Sequence, residues 1–532
     1  MRALFLAVTL LSLTSACADP PKKSRGDGSG GSGNAGSSGR GGSAGKSGAS
    51  GAGGTSGSSG SSGTAGASDG GAGNSGSGAG GEAGDGRASA GATAGGAGGS
   101  EDTEGGAGGR ADAGAGGRPV AGAGGSSDAG AGGNSGGDAQ DAGAGGADAE
   151  GGAAGAAPSD HWVGTWATGP QLTEVSNLPP PPGLANNTLR QVLRVSIGGT
   201  RLRMRFSNQY GSGPVTLNGV HLARSTGTST IDTSSGTTLA FAGSGSVTIP
   251  AGNIAWSDPF AFQLSPLDSV AVTIHFGAVP TNVTGHPGSR TTSYINTGNT
   301  LTAANFNAGV TTDHWYYVTG IDVSASTDSR AVVVLGDSIT DGRGSTTNAN
   351  NRWPDELAER LQANTGTQNV GVLNLGIGGN TVLSGGLGPT ARARFNSDVL
   401  GQSGVRYLIV LEGVNDVGYA SSQSVGTNLI AAYQEFIDKA HAADILAYGV
   451  PILPFGGNGY YTPDHETIRQ TVNSWVRTSG EFDACIDLDA AVRDPGNSIN
   501  LLPAYDTGDH LHLNPTGYQA MANAVDLSLF LE

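Results

Sequence analysis

The chain has 532 residues, yet 96 of them are glycine and only 36% are hydrophobic, so much of it cannot bury a core. Its formal net charge of −17, from 44 acidic against 27 basic residues, repels phosphate backbones and anionic lipid head groups. That excludes nucleic-acid binding and electrostatic attachment to a membrane.

Residues 1–18, "MRALFLAVTLLSLTSACA", carry one arginine, an apolar run and then small residues, too short to span a bilayer. They read as an export signal. "LTSAC" resembles a bacterial lipobox ending at Cys17, and Ala16, Cys17 and Ala18 also fit an ordinary A-x-A cleavage site. The long tether that follows favours lipidation at Cys17, leaving a lipid anchor as the sole membrane attachment. The mature protein is expected outside the cytoplasm, secreted or held at the cell surface. If Cys17 is removed or lipidated, Cys485 has no partner for an internal disulfide.

Residues 19–157 read as a disordered linker. From about Ser24 onward the composition is Gly, Ser, Ala and scattered Asp, with "DAGAGG" recurring at 112, 128 and 141. Such a tract cannot offset the entropy of ordering, and a Gly-rich coil of roughly 130 residues spans about 60–70 Å, enough to act as a spacer. Gly41, Ser43 and Gly45 match a G-x-S-x-G pattern, but no strand precedes them and no helix follows, so the match is empty.

Aromatic residues return at "HWVGTWATGP", and residues 158–325 show period-two alternation. In "TRLRMRFSN", Leu202, Met204 and Phe206 alternate with Arg201, Arg203 and Arg205; "SVAVTIHFG" repeats the pattern. Short strands and Gly/Asn/Ser turns predict an antiparallel β-sandwich or jelly roll; its three arginines would line either a ligand face or, the favoured reading, a solvated one.

Residues 326–532 change character. The runs "AVVVL" (331–335), "VGVLNLGI" (370–377), "VRYLIVLEG" (405–413), "ILAYGVPIL" (445–453) and "ACIDL" (484–488) are continuously apolar, as parallel strands covered on both faces require. Helical patterns lie between and after them: "RWPDELAERLQ", "HETIRQTVNSWVR", and "NPTGYQAMANAV" with Asn514 as cap and Pro515 in its first turn. This alternation predicts a doubly wound α/β layer whose ligands bind beyond the carboxyl ends of the strands.

Ser338 follows directly on the first of these strands. A serine hydroxyl needs a base, an orienting acid and donors for an oxyanion before it can act as a nucleophile. Asp509 and His512 stand three residues apart, a spacing that lets the carboxylate accept from Nδ1 while Nε2 faces the serine. His510 competes as base but has Thr507 three residues back. No third ligand cluster accompanies this H-x-H pair, so no metal is expected. "NLGIGGNT" ends the second strand in Gly378 and Gly379, and "LEGVND" ends the third in Asn415; backbone N–H groups and a side-chain amide are what an oxyanion hole requires. Asp337 and Asp341 flank the serine and raise the question of a carboxylate pair acting on a glycosidic bond, which a nucleophilic serine between them disfavours.

With "GDSIT" at Ser338, "GIGGN" at Gly379, "GVND" at Asn415 and "DHLH" at Asp509 and His512, in that order, this part of the chain resembles the SGNH, or GDSL, esterase and lipase superfamily. The resemblance covers about residues 330–532; the motif has Ile339 in place of leucine. It implies a three-layer, flavodoxin-like hydrolase fold, with Ser338 as nucleophile, His512 as base and Asp509 as its orienting acid. It further implies an oxyanion hole from the N–H groups of Ser338 and Gly379 and the amide of Asn415, with no cofactor. The β-rich region is similar to the accessory domain of secreted bacterial members. The expected function is hydrolysis of carboxylic esters, with acetyl or short acyl groups on small molecules or polysaccharides as substrates. The alternatives are a lysophospholipase or lipase, or a tethered carbohydrate-binding protein with an inert hydrolase fold.

Overall fold

The computed structural model describes residues 160–306 and 309–531. The export signal, Cys17 and the whole of the linker lie outside the described residues.

The β-rich region contains β1 (His161–Ala167), β2 (Thr188–Arg194), β3 (Gly199–Ser207), β4 (Val215–Gly227), β5 (Ser269–Phe276) and β6 (Val318–Ala325), with shorter strands between. One antiparallel sheet is ordered β1, β6, β3, with Ile254–Trp256 and Phe260–Leu264 both on β3. A second pairs β2, β5 and β4 in its centre. Leu202, Met204 and Phe206 of β3 point into a core shared with Val220, Leu222, Val270 and Val272 of the second sheet, which is the alternation seen in the sequence.

The outward arginines of β3 depart from the expected solvated face. Arg203 lies between the rings of Trp162 and Trp256, 4.7 and 4.4 Å from their centroids, and bonds Asp322 and Ser403. Arg205 is buried and reaches Gln402 Oε1 at 3.0 Å. Only Arg201, paired with Asp160, stays largely exposed. The guanidinium stems cover aromatic surface while their heads bind the start of a neighbouring strand in the other half of the molecule.

That half is a five-stranded parallel sheet: β7 (Arg330–Gly336), β8 (Val370–Gly376), β9 (Val405–Leu411), β10 (Leu446–Gly449) and β11 (Ala484–Cys485), in the order β8, β7, β9, β10, β11. The fourth and fifth strands are shorter than their apolar runs. Val450–Leu453 are buried without continuing the ladder, and Leu488 begins a helix. The helices are α1 (Ser338–Asp341), α2 (Trp353–Ala363), α3 (Ala391–Phe395), α4 (Val414–Gly418), α5 (Ser424–His441), α6 (Pro463–Thr478), α7 (Leu488–Val492) and α8 (Pro515–Ala524). α2 packs on β8 and with α8, while α5 packs on β10 and with α3 and α6.

The halves are not separate cores. Val372 N–H donates to Ser196 Oγ at 2.9 Å, and Gly164 N–H to Ser403 O at 2.9 Å. A Cβ at Gly164 would lie 2.8 Å from Leu373, so the missing side chain permits this close approach.

Candidate active site

In a 2-1-3-4-5 sheet the chain reverses direction between the first and third strands, and the ends of those strands diverge to leave a crevice. Here these are β7 and β9. Gly336 pairs with Gly376 on one side and Leu411 on the other, so the three strands end at one level. Ser338, Gly379 and Asn415 therefore sit two, three and four residues past aligned positions. Gly336 cannot be larger, because a Cβ there would meet Thr340 Oγ1 at 2.1 Å.

The chain turns sharply into α1. Asp337 caps it, accepting from Ile339 N–H at 2.9 Å, and Ser338 takes the first helical position. Ser338 Oγ is 2.8 Å from His512 Nε2, and His512 Nδ1 is 2.6 Å from Asp509 Oδ2. Since the carboxylate accepts, Nδ1 carries hydrogen and Nε2 is left to accept from the serine hydroxyl. Asp509 Oδ1 also accepts from the N–H groups of Leu511 and His512, at 3.0 and 2.8 Å. Burial alone would raise the Asp509 carboxyl. The bonds from His512 and Leu511 outweigh it and hold the group well below the usual carboxylate range.

His510 faces elsewhere. Its φ of 62° turns the backbone through the left-handed region, so the two histidines of "DHLH" do not share a face. It is half-exposed and bonds Asp506 Oδ2 through Nδ1 at 2.6 Å.

Gly379 has φ 70°, a conformation that favours glycine, and a Cβ there would meet Leu387 at 3.0 Å. Asn415 is buried at the start of α4; its Nδ2 donates to Asn380 O at 2.7 Å, tying the second and third strand ends together. Its Oδ1 accepts from Tyr460 Oη at 3.0 Å. Asp337 and Asp341 do not form a free carboxylate pair. Asp341 Oδ1 is 2.8 Å from His286 Nε2 of the β-rich region, and both side chains are buried.

Beneath the strand ends lies a buried guanidinium. Arg394 on α3 donates to Gly336 O, Leu375 O and Asn380 Oδ1, at 3.0, 2.6 and 3.1 Å, and pairs with Asp398 and Glu412. It cross-ties β7, β8 and the turn after Gly379. Burial pushes the carboxyls of Asp337, Glu412 and Asp416 upward, Asp337 to about 7, and their mutual repulsion adds to this for Asp337 and Glu412. Asp416 accepts from Val382 and Leu383 N–H, at 2.8 and 2.9 Å. Arg394, Tyr460 and His286 were not singled out in the sequence. "ARARF" reads as an ordinary helix surface, and nothing local marks its second arginine as buried.

Residues 334–520 match the GDSL-like Lipase/Acylhydrolase family. No curated protein matches the chain. Among solved structures, the chain is similar to a putative lipolytic protein of the G-D-S-L family from Desulfitobacterium hafniense, at 21% identity, covering 37% of this chain and 97% of that one, with a TM-score of 0.30. A catalytic mutant of an acetylxylan esterase from Geobacillus stearothermophilus is similar at 21% identity, 37% and 91% coverage and a TM-score of 0.29. A GDSL-like lipase from Bacteroides thetaiotaomicron is similar at 18% identity, 38% and 87% coverage and a TM-score of 0.29. The family match spans the serine, the glycine turn, the asparagine and the histidine: residues 334–520 are a GDSL-like lipase/acylhydrolase domain, and the chain is a serine hydrolase acting on ester bonds.

Proposed function

We propose that this enzyme removes short acyl groups, acetyl above all, from alcohols that include polysaccharide hydroxyls. The observation that carries the reading is the relay Ser338 Oγ, His512 Nε2, His512 Nδ1 and Asp509 Oδ2, with links of 2.8 and 2.6 Å. His512 takes the hydroxyl proton as Ser338 Oγ attacks the ester carbonyl. The carbonyl oxygen becomes an oxyanion facing the N–H groups of Ser338 and Gly379 and the amide of Asn415. Collapse expels the alcohol, protonated by His512, and leaves an acyl-serine. Water then repeats the sequence with His512 as base, and the acid leaves. Every proton moves between the substrate, His512 and Ser338 or water, so no redox step or cofactor enters the balance.

Three features support a small acyl group. Ser338, Asn415 and His512 are each under a tenth exposed, at 6, 3 and 7%. Leu387 stands beside Gly379, and Tyr460 beside Asn415, and both narrow the approach. Polysaccharide esters fit an enzyme exported and held outside the cell, the reading drawn from the leader and the spacer. Lipidation at Cys17 is tested by palmitate labelling, expected for the native chain and lost in Cys17→Ala; unlabelled native chain refutes the anchor.

The decisive experiment is Ser338→Ala assayed on p-nitrophenyl acetate, butyrate and palmitate and on acetylated xylan and pectin. The native enzyme is expected to prefer acetate and to release acetate from a glycan, and the variant to fold normally and lose turnover. Near-native activity in the variant would refute the mechanism; preference for palmitate would refute the substrate class.

A further inference from the structure

We propose that Tyr460 is a positioning residue of the oxyanion hole, acting through Asn415. The inference rests on the reading that Asn415 faces the oxyanion. The carbonyl of Asn380 can only accept, so the atom of Asn415 that faces it at 2.7 Å is the amide nitrogen. That leaves Oδ1 toward Tyr460, whose hydroxyl is the donor across 3.0 Å. Two bonds from opposite sides fix the plane of the amide. One Nδ2 hydrogen is spent on Asn380, and the other is held in a set direction for the substrate. Without the tyrosine hydroxyl, one anchor remains and the amide can rotate about it.

The segment around Tyr460 is built to hold this hydroxyl. Gly418 closes α4, the helix that begins with Asn415's neighbour Val414, and a Cβ at Gly418 would lie 2.3 Å from the Tyr460 ring. The bare glycine lets the ring lie against the helix and bring its hydroxyl to Asn415. Tyr460 N–H donates to Asn458 Oδ1 at 2.9 Å, and Asn458 Nδ2 donates to Asp509 O at 2.8 Å. His465 Nδ1 lies 2.6 Å from Tyr460 O, and its Nε2 lies 3.0 Å from Ala420 O. One loop thus ties the asparagine of the oxyanion hole to the strand of chain carrying the aspartate of the relay. The ring of Tyr419 meets that of Tyr460 edge-on at 5.1 Å and covers its outer side.

Tyr460→Phe keeps the ring and removes only the hydroxyl. A neutral hydrogen bond of ordinary strength corresponds to about a three- to tenfold fall in kcat, with KM within about twofold. Asn415→Ala, which removes the donor itself, is expected to cost about a hundred- to a thousandfold. In the Asn415→Ala background Tyr460→Phe should then have no further effect, since its target is gone. Gly418→Ala, which displaces the ring, should reproduce the kcat loss of Tyr460→Phe. An unchanged kcat in Tyr460→Phe, or an equal loss with and without Asn415, overturns the proposal. If Asn415→Ala itself leaves kcat intact, the assignment of the oxyanion hole fails first, and the two failures are told apart.

Discussion

Replacing Asp509 with asparagine tests what the carboxylate contributes to the relay. The asparagine keeps the side-chain oxygen that accepts from Leu511 and His512 N–H, so the loop geometry is retained. It removes the negative charge that stabilises the imidazolium formed during attack, and it turns an amide N–H toward His512 Nδ1, so the ring no longer keeps its hydrogen there and Nε2 free for the serine. With charge centres about 4 Å apart, the attraction is about 4 kcal/mol at the effective dielectric of a protein surface and about 1 kcal/mol in water. The Asp509 side chain is 39% exposed, which places the site between these limits. At 1.36 kcal/mol per tenfold, the lost charge by itself lowers kcat/KM on p-nitrophenyl acetate by about fivefold to a thousandfold. The lost tautomer adds to this; asparagine in place of the buried aspartate of such a relay costs about ten-thousandfold, which sets the ceiling. His510→Ala is the control. Its ring bonds Asp506 away from the serine, so kcat/KM should stay within about twofold. A loss below fivefold in Asp509→Asn, or a loss in His510→Ala as large as in Asp509→Asn, would refute the assignment of the relay.

Two further predictions concern the buried charges under the site. Arg394→Met leaves Glu412 and Asp398 without their cation, and should lower stability by about 3–5 kcal/mol; denaturant unfolding showing a loss under about 1 kcal/mol would contradict the proposed tie. Asp337 has a folded-state pKa raised by burial to about 7, so between the ordinary carboxylate range and that value the folded state binds more protons than the unfolded chain. Stability attributable to Asp337 therefore falls as pH rises through this window. Asp337→Asn keeps an acceptor for Ile339 N–H and should flatten the decline in Tm between about pH 5 and about pH 8; identical slopes in both proteins would refute it.

The parts of the site legible in the sequence are those carried by local chain geometry. A strand that ends in Asp337 and Ser338, a turn that needs a glycine at 379, and an aspartate three residues before a histidine each state their role within a few positions. The short reach of "DHLH" was ambiguous only because the left-handed backbone at His510, which separates the two rings, has no glycine or asparagine to announce it. Arg394, Tyr460 and His286 act across 58, 45 and 55 residues of chain on Gly336, Asn415 and Asp341. Their partners are set by tertiary packing, which no local periodicity encodes. The arginines of β3 were misread for the same reason: alternation identifies the outward face of a sheet but not what covers it.

That cover changes how the β-rich region should be regarded. A detachable binding module would meet the hydrolase through a polar, solvated surface. Here Val163, Val195 and Ile197 belong to the same apolar core as Val372 and Leu373, and a Cβ at Gly164 would collide with the Leu373 side chain. The buried carboxylate of Asp341 lies one turn beyond Ser338, and its 2.8 Å bond is to a histidine of the β-rich region. Gly288 comes so close to that carboxylate that any Cβ would overlap it. The same His286 ring gives its other nitrogen to Gly169 O at 2.9 Å, so a single side chain joins a strand and a loop of the β-rich region to the helix of the serine. An unpaired buried carboxylate at that place would bear directly on α1. The β-rich half is therefore part of the framework that sets the serine.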